Sequence, residues 1–194
     1  ELPALTSKFF TFGSFNNFDK INPDVISVWS NILKKINNSK LILKTSKIKH
    51  GLERLKGLFK ENGVLDSIKF IGREKEFKDH LNAYNEIDIA LDTFPYNGVT
   101  TSFEAIWMGV PVLTMAGYNF NSRCGESINK NLGMDQLIAK DENDYVQKAI
   151  DLTKNQSEFI DLRKSIFHNA IKSPLFNQKK FSDNFYKLIT EITK

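Results

Sequence analysis

The residues best placed to do chemistry lie between positions 88 and 114, in the segment DIALDTFPYNGVTTSFEAIWMGVPVLT. Its pattern predicts a short buried strand, a polar loop, a helix and a second strand. Asn97 and Gly98 break regular structure in the loop, and the hydroxyl of Thr100 or Thr101 can cap the helix that follows. A loop at the carboxyl end of a parallel strand, opening onto a helix N-terminus, is where α/β proteins hold anionic ligands.

The polar groups of this loop fit a nucleoside diphosphate together with its sugar. Two Thr hydroxyls and the backbone amides of the helix N-terminus supply hydrogen-bond donors, and the helix dipole favours negative charge. Glu104 lies one turn into the helix, where its carboxylate would repel phosphate but could accept hydrogen bonds from ribose hydroxyls. The alternative is an ordinary capped loop between a strand and a helix, without a ligand. Residue chemistry alone leaves both open.

Strands and helices alternate along most of the chain. Strands are predicted over 8–15, 40–45, 67–71, 88–91, 110–114 and 136–139. Helices are predicted from Pro23, over 50–61, 74–84, 100–108 and 122–131, and then over 142–153, 157–171 and 179–192. The alternation predicts a Rossmann-like α/β fold, with a mostly parallel sheet, helices on both faces and a helical C-terminal extension. The sequence lacks the GxGxxG and P-loop motifs, which argues against hydride transfer and P-loop NTPase chemistry.

The composition is that of an ordinary globular domain. With 194 residues, 41% hydrophobic and 26% charged, the chain is predicted to form one domain over 1–194, with a helical tail from about residue 142. Its net charge of +4 is mild and scattered, so nucleic-acid binding through the Lys-rich surface is a weak alternative. The sequence contains no apolar run of transmembrane length and no signal peptide, and it opens without Met. We therefore expect a fragment of a longer protein, with no membrane partner.

Three further candidate chemistries receive less support from the sequence. Asp88 and Asp92 bracket a predicted strand and could form a glycosidase pair, but acids at strand ends usually have structural roles. Cys124 is the single cysteine, which excludes an internal disulfide and suits a reducing, cytoplasmic compartment. It has no evident histidine base, so we expect no nucleophilic role. The sequence contains no HxxxH motif or carboxylate cluster, so we expect neither a metal nor a cofactor.

A longer set of residues resembles the C-terminal catalytic region of the O-GlcNAc transferase/SPINDLY-like glycosyltransferases. The resemblance is carried by the segment 88–114, then Gly117, Ser122, Arg123, Gly125 and the LIA triplet at 137–139. It begins near Phe9, extends to the final helix and covers nearly the whole chain. It implies the C-terminal lobe of a two-lobed GT-B glycosyltransferase, which transfers a sugar from a nucleotide donor to Ser or Thr hydroxyls of proteins.

The resemblance also implies roles for individual residues outside the central segment. Lys20 ends an N-N-x-x-K loop and corresponds to a lysine that binds the donor pyrophosphate, so it is the expected catalytic residue. Asn17, in the same loop, is a neighbouring candidate for nucleotide binding. His80 corresponds to a histidine that lies against the nucleotide base. From the residues alone, a solvated loop lysine and a half-buried packing histidine are the alternatives.

Within the central segment, the resemblance assigns nucleotide binding to five residues. Thr100 and Thr101 correspond to a Thr pair whose hydroxyls and amides hold the diphosphate, and Glu104 corresponds to an acidic residue that faces the ribose. Asn97 and Gly98 shape the loop. These roles are compatible with capping and turn formation by the same residues.

The implied partners are a nucleotide sugar, a protein acceptor and the rest of a longer protein. The donor is of the UDP-GlcNAc or the GDP-fucose type, because the SPINDLY branch is associated with GDP-fucose. The N-terminal catalytic lobe and tetratricopeptide (TPR) repeats would belong to the same full-length protein. We expect this fragment alone to bind nucleotide weakly and to transfer little. A degenerate lobe that acts only in protein interaction, and binds no nucleotide, is the alternative.

Overall fold

The computed structural model describes residues 2–7, 9–45, 49–72 and 76–193. Strands in this part of the chain are β1 (Phe10–Ser14), β2 (Ser39–Lys44), β3 (Ile68–Ile71), β4 (Ile89–Leu91), β5 (Val112–Met115) and β6 (Ile138–Ala139). They form a six-stranded sheet in the order β3–β2–β1–β4–β5–β6, and every neighbouring pair is parallel. The predicted parallel sheet is therefore confirmed. Residue 8 of the predicted first strand lies outside the described residues.

Helices connect the strands and then complete the chain. They are α1 (Pro3–Ser7), α2 (Pro23–Lys35), α3 (Lys49–Glu61), α4 (Phe77–Asn82), α5 (Thr100–Trp107), α6 (Cys124–Asn131), α7 (Glu142–Lys154), α8 (Gln156–Lys172) and α9 (Gln178–Ile192). The start of α2 follows the sequence signal, because Asn22 accepts a hydrogen bond from the Val25 amide and Pro23 is the first helical residue. The short helix α1 was not predicted from the sequence.

Apolar side chains are buried on both faces of the sheet. On one face Phe12 of β1 packs in a cluster with Trp29 of α2 and Tyr145 of α7. On the other face Ile106 of α5 and Ile166 of α8 belong to a second cluster. Burial of such side chains is the main term that stabilises a domain of this size. The helices thus cover both faces, as the alternating pattern predicts.

One predicted helix start and one predicted helix cap differ from the structure, and a further predicted start lies outside the described residues. Residue 74 of the predicted helix 74–84 lies outside the described residues, and α4 is followed by a 3-10 turn over Ala83–Glu86. The N-cap of α5 is Val99, whose side chain cannot accept a hydrogen bond, so the prediction that a Thr hydroxyl caps this helix is wrong. Helix α6 begins at Cys124, because Ser122 closes the preceding turn in a capping box with Asn119.

The helical extension has two parts that differ in their packing. Helices α7 and α8 bury side chains such as Tyr145 and Phe159 in the core. None of the residues of α9 is buried, and apolar side chains such as Phe181 and Ile192 are exposed. Among the described residues, no helix combines the length and the apolar character needed to cross a membrane.

Candidate functional site

The strand order reverses between β1 and β4, and the polar residues singled out in the sequence gather there. β2 and β3 lie on one side of β1, whereas β5 and β6 lie beyond β4. The loops that leave the carboxyl ends of β1 and β4, over 15–22 and 92–99, therefore separate and leave a crevice. Open α/β sheets bind ligands at such a topological switch point. We call this region the switch-point crevice.

The loop after β1 is held by capping and by an arginine from α3. Asn17 caps the 3-10 turn Phe18–Lys20, since its Oδ1 accepts a hydrogen bond from the Asp19 amide at 3.3 Å. Arg54 donates from Nη2 to the carbonyl oxygens of Phe18 (3.3 Å) and Ile21 (3.0 Å). Because both contacts go to the backbone beside Lys20, Arg54 fixes the place from which the lysine side chain leaves the loop.

Lys20 reaches from this loop to the loop after β4. Its ammonium donates to the Asn97 carbonyl oxygen at 2.9 Å and lies 3.9 Å from the centre of the Tyr96 ring. Burial lowers the pKa of Lys20, while the charges of Asp92 and Cys124 act in the opposite direction. The structure thus brings the expected catalytic lysine beside the polar loop, although the two are 77 residues apart in the chain.

Asp92 directly follows β4 at the switch-point crevice and is almost fully buried. Its Oδ1 accepts hydrogen bonds from the amides of Gly98 (2.6 Å) and Thr93 (2.9 Å), and its Oδ2 accepts one from the Thr114 hydroxyl at 2.8 Å. Burial raises the pKa of Asp92 to about 6, against the lowering effect of these bonds and of the Lys20 charge. The carboxylate therefore ties the loop to the neighbouring strand β5.

Asn97 and Gly98 shape the loop, as the sequence predicts. The buried Asn97 amide group donates to the Thr93 carbonyl oxygen at 2.9 Å and accepts from the Gly125 amide at 3.2 Å. At Gly98, an added Cβ would lie 2.7 Å from Thr101 Oγ1, which is too close for any other residue without movement. Close approach, and not a positive φ, is therefore the reason for glycine at this position.

The N-terminus of α5 opens onto the crevice with Thr100 and Thr101 as its first residues. Amides in the first turn of a helix have no partner within the helix, so they can bind an anion. Thr100 is exposed. The Thr101 hydroxyl instead donates inward to Asn16 Oδ1 at 2.8 Å, and Asn16 in turn lies 3.4 Å from Asp92 Oδ1. The two threonines thus differ, because the single hydroxyl proton of Thr101 is already used.

Glu104 joins α5 to α4 through a contact with His80. Its Oε2 lies 2.8 Å from His80 Nε2 and accepts a hydrogen bond from the Tyr84 hydroxyl at 3.0 Å. Burial, followed by the charge and hydrogen bond of Glu104, raises the pKa of Tyr84 well above its usual range, so Tyr84 remains a donor. The structure therefore brings His80 and Glu104 into direct contact, which the sequence did not predict.

The structure argues against two of the alternative chemistries. Asp88 sits at the amino end of β4, so about four strand residues, or roughly 13 Å, separate it from Asp92. That is more than the ~5–9.5 Å between the carboxyl groups of a glycosidase pair, which excludes that alternative. Burial, and then the charge of Asp92, raises the pKa of the Cys124 thiol, which disfavours a nucleophile. Arg123 forms an ion pair with Glu126 at 2.8 Å.

The structure adds four residues to the site that sequence reasoning did not place there as site residues: Asn16, Arg54, Tyr84 and Asp92. Asp92 carried a signal, because it directly follows the predicted strand 88–91. The other three depend on contacts between segments that are far apart in the sequence. Among the described residues, no group of three or more His, Cys, Asp or Glu side chains could hold a metal ion. The expectation that no metal is needed stays a prediction.

Comparison with known proteins identifies close relatives. The sequence profile of glycosyl transferase family 41 matches residues 3–185. A Hordeum vulgare protein described as "probable UDP-N-acetylglucosamine–peptide N-acetylglucosaminyltransferase SPINDLY" is 40% identical over 186 residues, which are 93% of this chain and 19% of that protein. The UDP-N-acetylglucosamine–peptide N-acetylglucosaminyltransferase of Caenorhabditis elegans is 27% identical over 94% of this chain and 16% of its own length. The chain thus spans about a fifth or less of these relatives.

Solved structures share the fold. A mutant of the O-GlcNAc transferase of Thermobaculum terrenum superposes with a TM-score of 0.88 at 29% identity, over 97% of this chain and 37% of that one. The sucrose-phosphate synthase of Thermosynechococcus elongatus gives a TM-score of 0.70 at 16% identity, over 98% of this chain and 48% of that one. The second likeness concerns the fold alone. Together they confirm the predicted GT-B-like α/β architecture.

Proposed function

This chain belongs to glycosyl transferase family 41, and from that premise we propose that its switch-point crevice binds the nucleoside diphosphate of a sugar donor. The observation that supports the proposal is that a cationic side chain, Lys20, and the donor-rich N-terminus of α5 meet at the crevice. The Lys20 ammonium lies 2.9 Å from the Asn97 carbonyl oxygen, and the same loop leads directly into the N-terminus of α5 at Thr100. Both groups favour a bound diphosphate.

In the proposed reaction, these groups stabilise the leaving group. The acceptor hydroxyl attacks the anomeric carbon of the sugar, the bond from that carbon to the β-phosphate oxygen breaks, and the diphosphate leaves with the bonding electrons. The charge that develops on the diphosphate is met by the Lys20 ammonium and by the amides of Thr100 and Thr101. Preorganised donors of this kind are often the largest single contribution to catalysis. The base that accepts the hydroxyl proton would come from outside this chain.

The remaining predicted residues are proposed to hold the nucleoside. His80 would lie against the base, and Glu104 would face the ribose. In support, the two side chains are in contact, and both are only half-buried. Asn17 is exposed and its side chain caps its own turn, so its proposed contact with the donor requires no rearrangement of the core. Asn97 and Gly98 act by shaping the loop.

The proposed donor is UDP-N-acetylglucosamine, and the proposed acceptors are Ser and Thr hydroxyls of proteins. The names of the plant and nematode relatives support this choice. GDP-fucose remains the alternative donor, and no metal is proposed because Lys20 and the helix N-terminus can neutralise the diphosphate. Since the chain spans about a fifth of its relatives, we also propose that an N-terminal lobe and TPR repeats complete the acceptor site.

Calorimetric titration of the 194-residue chain with UDP and with GDP tests the donor site. We expect weak binding of UDP, and a loss of about 10- to 150-fold in Lys20→Ala, because a hydrogen bond to a charged group contributes ~1.5–3 kcal/mol. Lys34→Ala is the matched control, since Lys34 is an exposed lysine on α2, and it should bind like the wild type. Preferred binding of GDP would instead favour the fucose donor. If Lys20→Ala binds UDP as well as the wild type does, the proposed role of Lys20 is wrong.

A further inference from the structure

Lys44 is a buried lysine at the edge of the site that no sequence motif singled out. It is the last residue of β2, and only 8% of its surface is exposed. Its ammonium contacts Nδ1 of His80 and lies 5.7 Å from the centre of the Phe15 ring. Burying an ammonium is costly unless it gains partners, so a lysine at this position requires a physical reason.

The contact with Lys44 determines which nitrogen of the His80 ring carries the proton. An ammonium group has donors and no acceptor, so Nδ1 must be the accepting, unprotonated nitrogen. In the neutral ring the proton is then on Nε2, and Nε2 donates to Glu104 Oε2 at 2.8 Å. The donor at one nitrogen and the acceptor at the other fix a single tautomer.

Glu104, which accepts the hydrogen bond from His80, is itself held in place. Glu104 Oε2 accepts a second hydrogen bond from the Tyr84 hydroxyl at 3.0 Å, and the Tyr84 ring stands edge-on to the His80 ring with 5.8 Å between centres. One continuous chain of hydrogen bonds therefore links Lys44, His80, Glu104 and Tyr84 across β2, α4, α5 and the 3-10 turn after α4. We call it the His80 relay.

We propose that Lys44 is a positioning residue, which holds His80 in the Nε2–H tautomer so that a nucleobase packs against the face of the ring. Both ring nitrogens are already engaged within the protein, so neither is left to hydrogen-bond a base. About 22% of the His80 side chain is exposed, which is sufficient for contact on one face. The packing of a base rests on the function proposed above, whereas the tautomer does not.

Nitrogen NMR of the His80 ring tests the tautomer without any nucleotide. In the wild type we expect an unprotonated Nδ1 and a protonated Nε2. Lys44→Met keeps the volume of the side chain and removes its charge, so the fold should survive while the fixed tautomer is lost. Lys40→Met is the matched control, because Lys40 lies on the same strand and is exposed. It should leave the ring signals unchanged.

Titration with UDP and GDP then tests the consequence for binding. We expect Lys44→Met to weaken binding of the preferred nucleotide by about tenfold, the lower end of the loss seen when a metal-ligating histidine loses its outer hydrogen-bond partner. Lys44→Arg restores donors and should recover much of this loss, which a general packing role would not predict. If Lys44→Met left the ring signals and the affinity unchanged, the positioning role of Lys44 would be wrong and the proposed donor site would still stand. If the wild type binds neither nucleotide, the donor site fails and the base-packing role fails with it.

Discussion

Strand β4 carries a buried aspartate at each of its ends, and the two differ in what they hold. Asp88, before the strand, accepts hydrogen bonds from the amides of Thr11 (2.8 Å) and Ala4 (3.0 Å). Asp92, after the strand, accepts bonds from the amides of Gly98 and Thr93 and from the Thr114 hydroxyl. Burial raises the pKa of both carboxyl groups. The chemistry of the two side chains is therefore nearly the same.

The difference lies in what their partners are connected to. The Asp88 carboxylate holds α1 and the start of β1 in place. Arg163 of α8 donates to the backbone carbonyl oxygen of Asp88 at 2.9 Å, so all of these contacts serve the fold and none reaches the crevice. Asp92 fastens the loop that leads into α5, and its charge acts on Lys20. In a parallel sheet the carboxyl ends of the strands face the ligand. Position along the strand thus separates an aspartate that holds the fold together from one that holds the loop of the candidate site.

The largest expected effect that distinguishes the two ends is a pH dependence of stability. Folding raises the pKa of Asp92 to about 6, so the folded protein favours the protonated carboxyl group. The resulting contribution to the free energy of unfolding is fully present below about pH 4 and is lost as the pH rises through 6. The loss corresponds to about 3 kcal/mol. Urea unfolding between pH 4 and 7 should show this decline in the wild type, and Asp92→Asn should keep only the decline due to Asp88, whose pKa burial also raises. Asp88→Asn is the control, because it keeps the pH-dependent loss of stability that is due to Asp92. If the wild type and Asp92→Asn gave the same dependence of stability on pH, the raised pKa of Asp92 would be wrong.

A substitution at the back of the crevice should also destabilise the protein. At Gly125 an added Cβ would lie 2.8 Å from Asp92 Oδ2 and would collide with Thr114 Oγ1. We expect Gly125→Ala to lower the free energy of unfolding by about 1–3 kcal/mol, as overpacking usually does. Gly57→Ala, in α3 with open space around it, should instead raise it by about 0.5–1 kcal/mol. Thermal unfolding measures the opposite effects of the two substitutions on stability. If Gly125→Ala were as stable as the wild type, the packing around Asp92 and Thr114 could relax and the prediction would be wrong.

The smallest predicted effect concerns nucleotide affinity at the two ends. Asp92→Asn removes the charge that favours the Lys20 ammonium and weakens the hold on Gly98, so the affinity for UDP should fall by about tenfold, or ~1.4 kcal/mol. Asp88→Asn should lower stability and leave the affinity unchanged, because its contacts do not reach the crevice. Calorimetric titration at pH 7 compares them. Equal losses in both variants would mean that affinity follows overall stability.

How much of the site is readable from sequence depends on the distance along the chain. The loop with Asn97 and Gly98 and the helix after it lie within one segment, so their order was predicted correctly. The capping by Thr100 or Thr101 was predicted wrongly, because the Thr101 hydroxyl is drawn to Asn16, 85 residues away in the chain. The local sequence pattern cannot predict a contact between residues so far apart in the chain. The same reason applies to Arg54 and to the His80 relay.

Amide chemical-shift mapping with UDP and with GDP is the sharpest test of the proposed donor site, because it locates a ligand at one end of β4 or the other. We expect the largest shifts to fall on the amides from Gly98 to Ser102 and on the loop that carries Lys20. Amides near Asp88, such as Ala4 and Thr11, should stay unchanged. Shifts that are confined to the lysines of the surface, or that are centred on the Asp88 end, would contradict a donor site in the switch-point crevice.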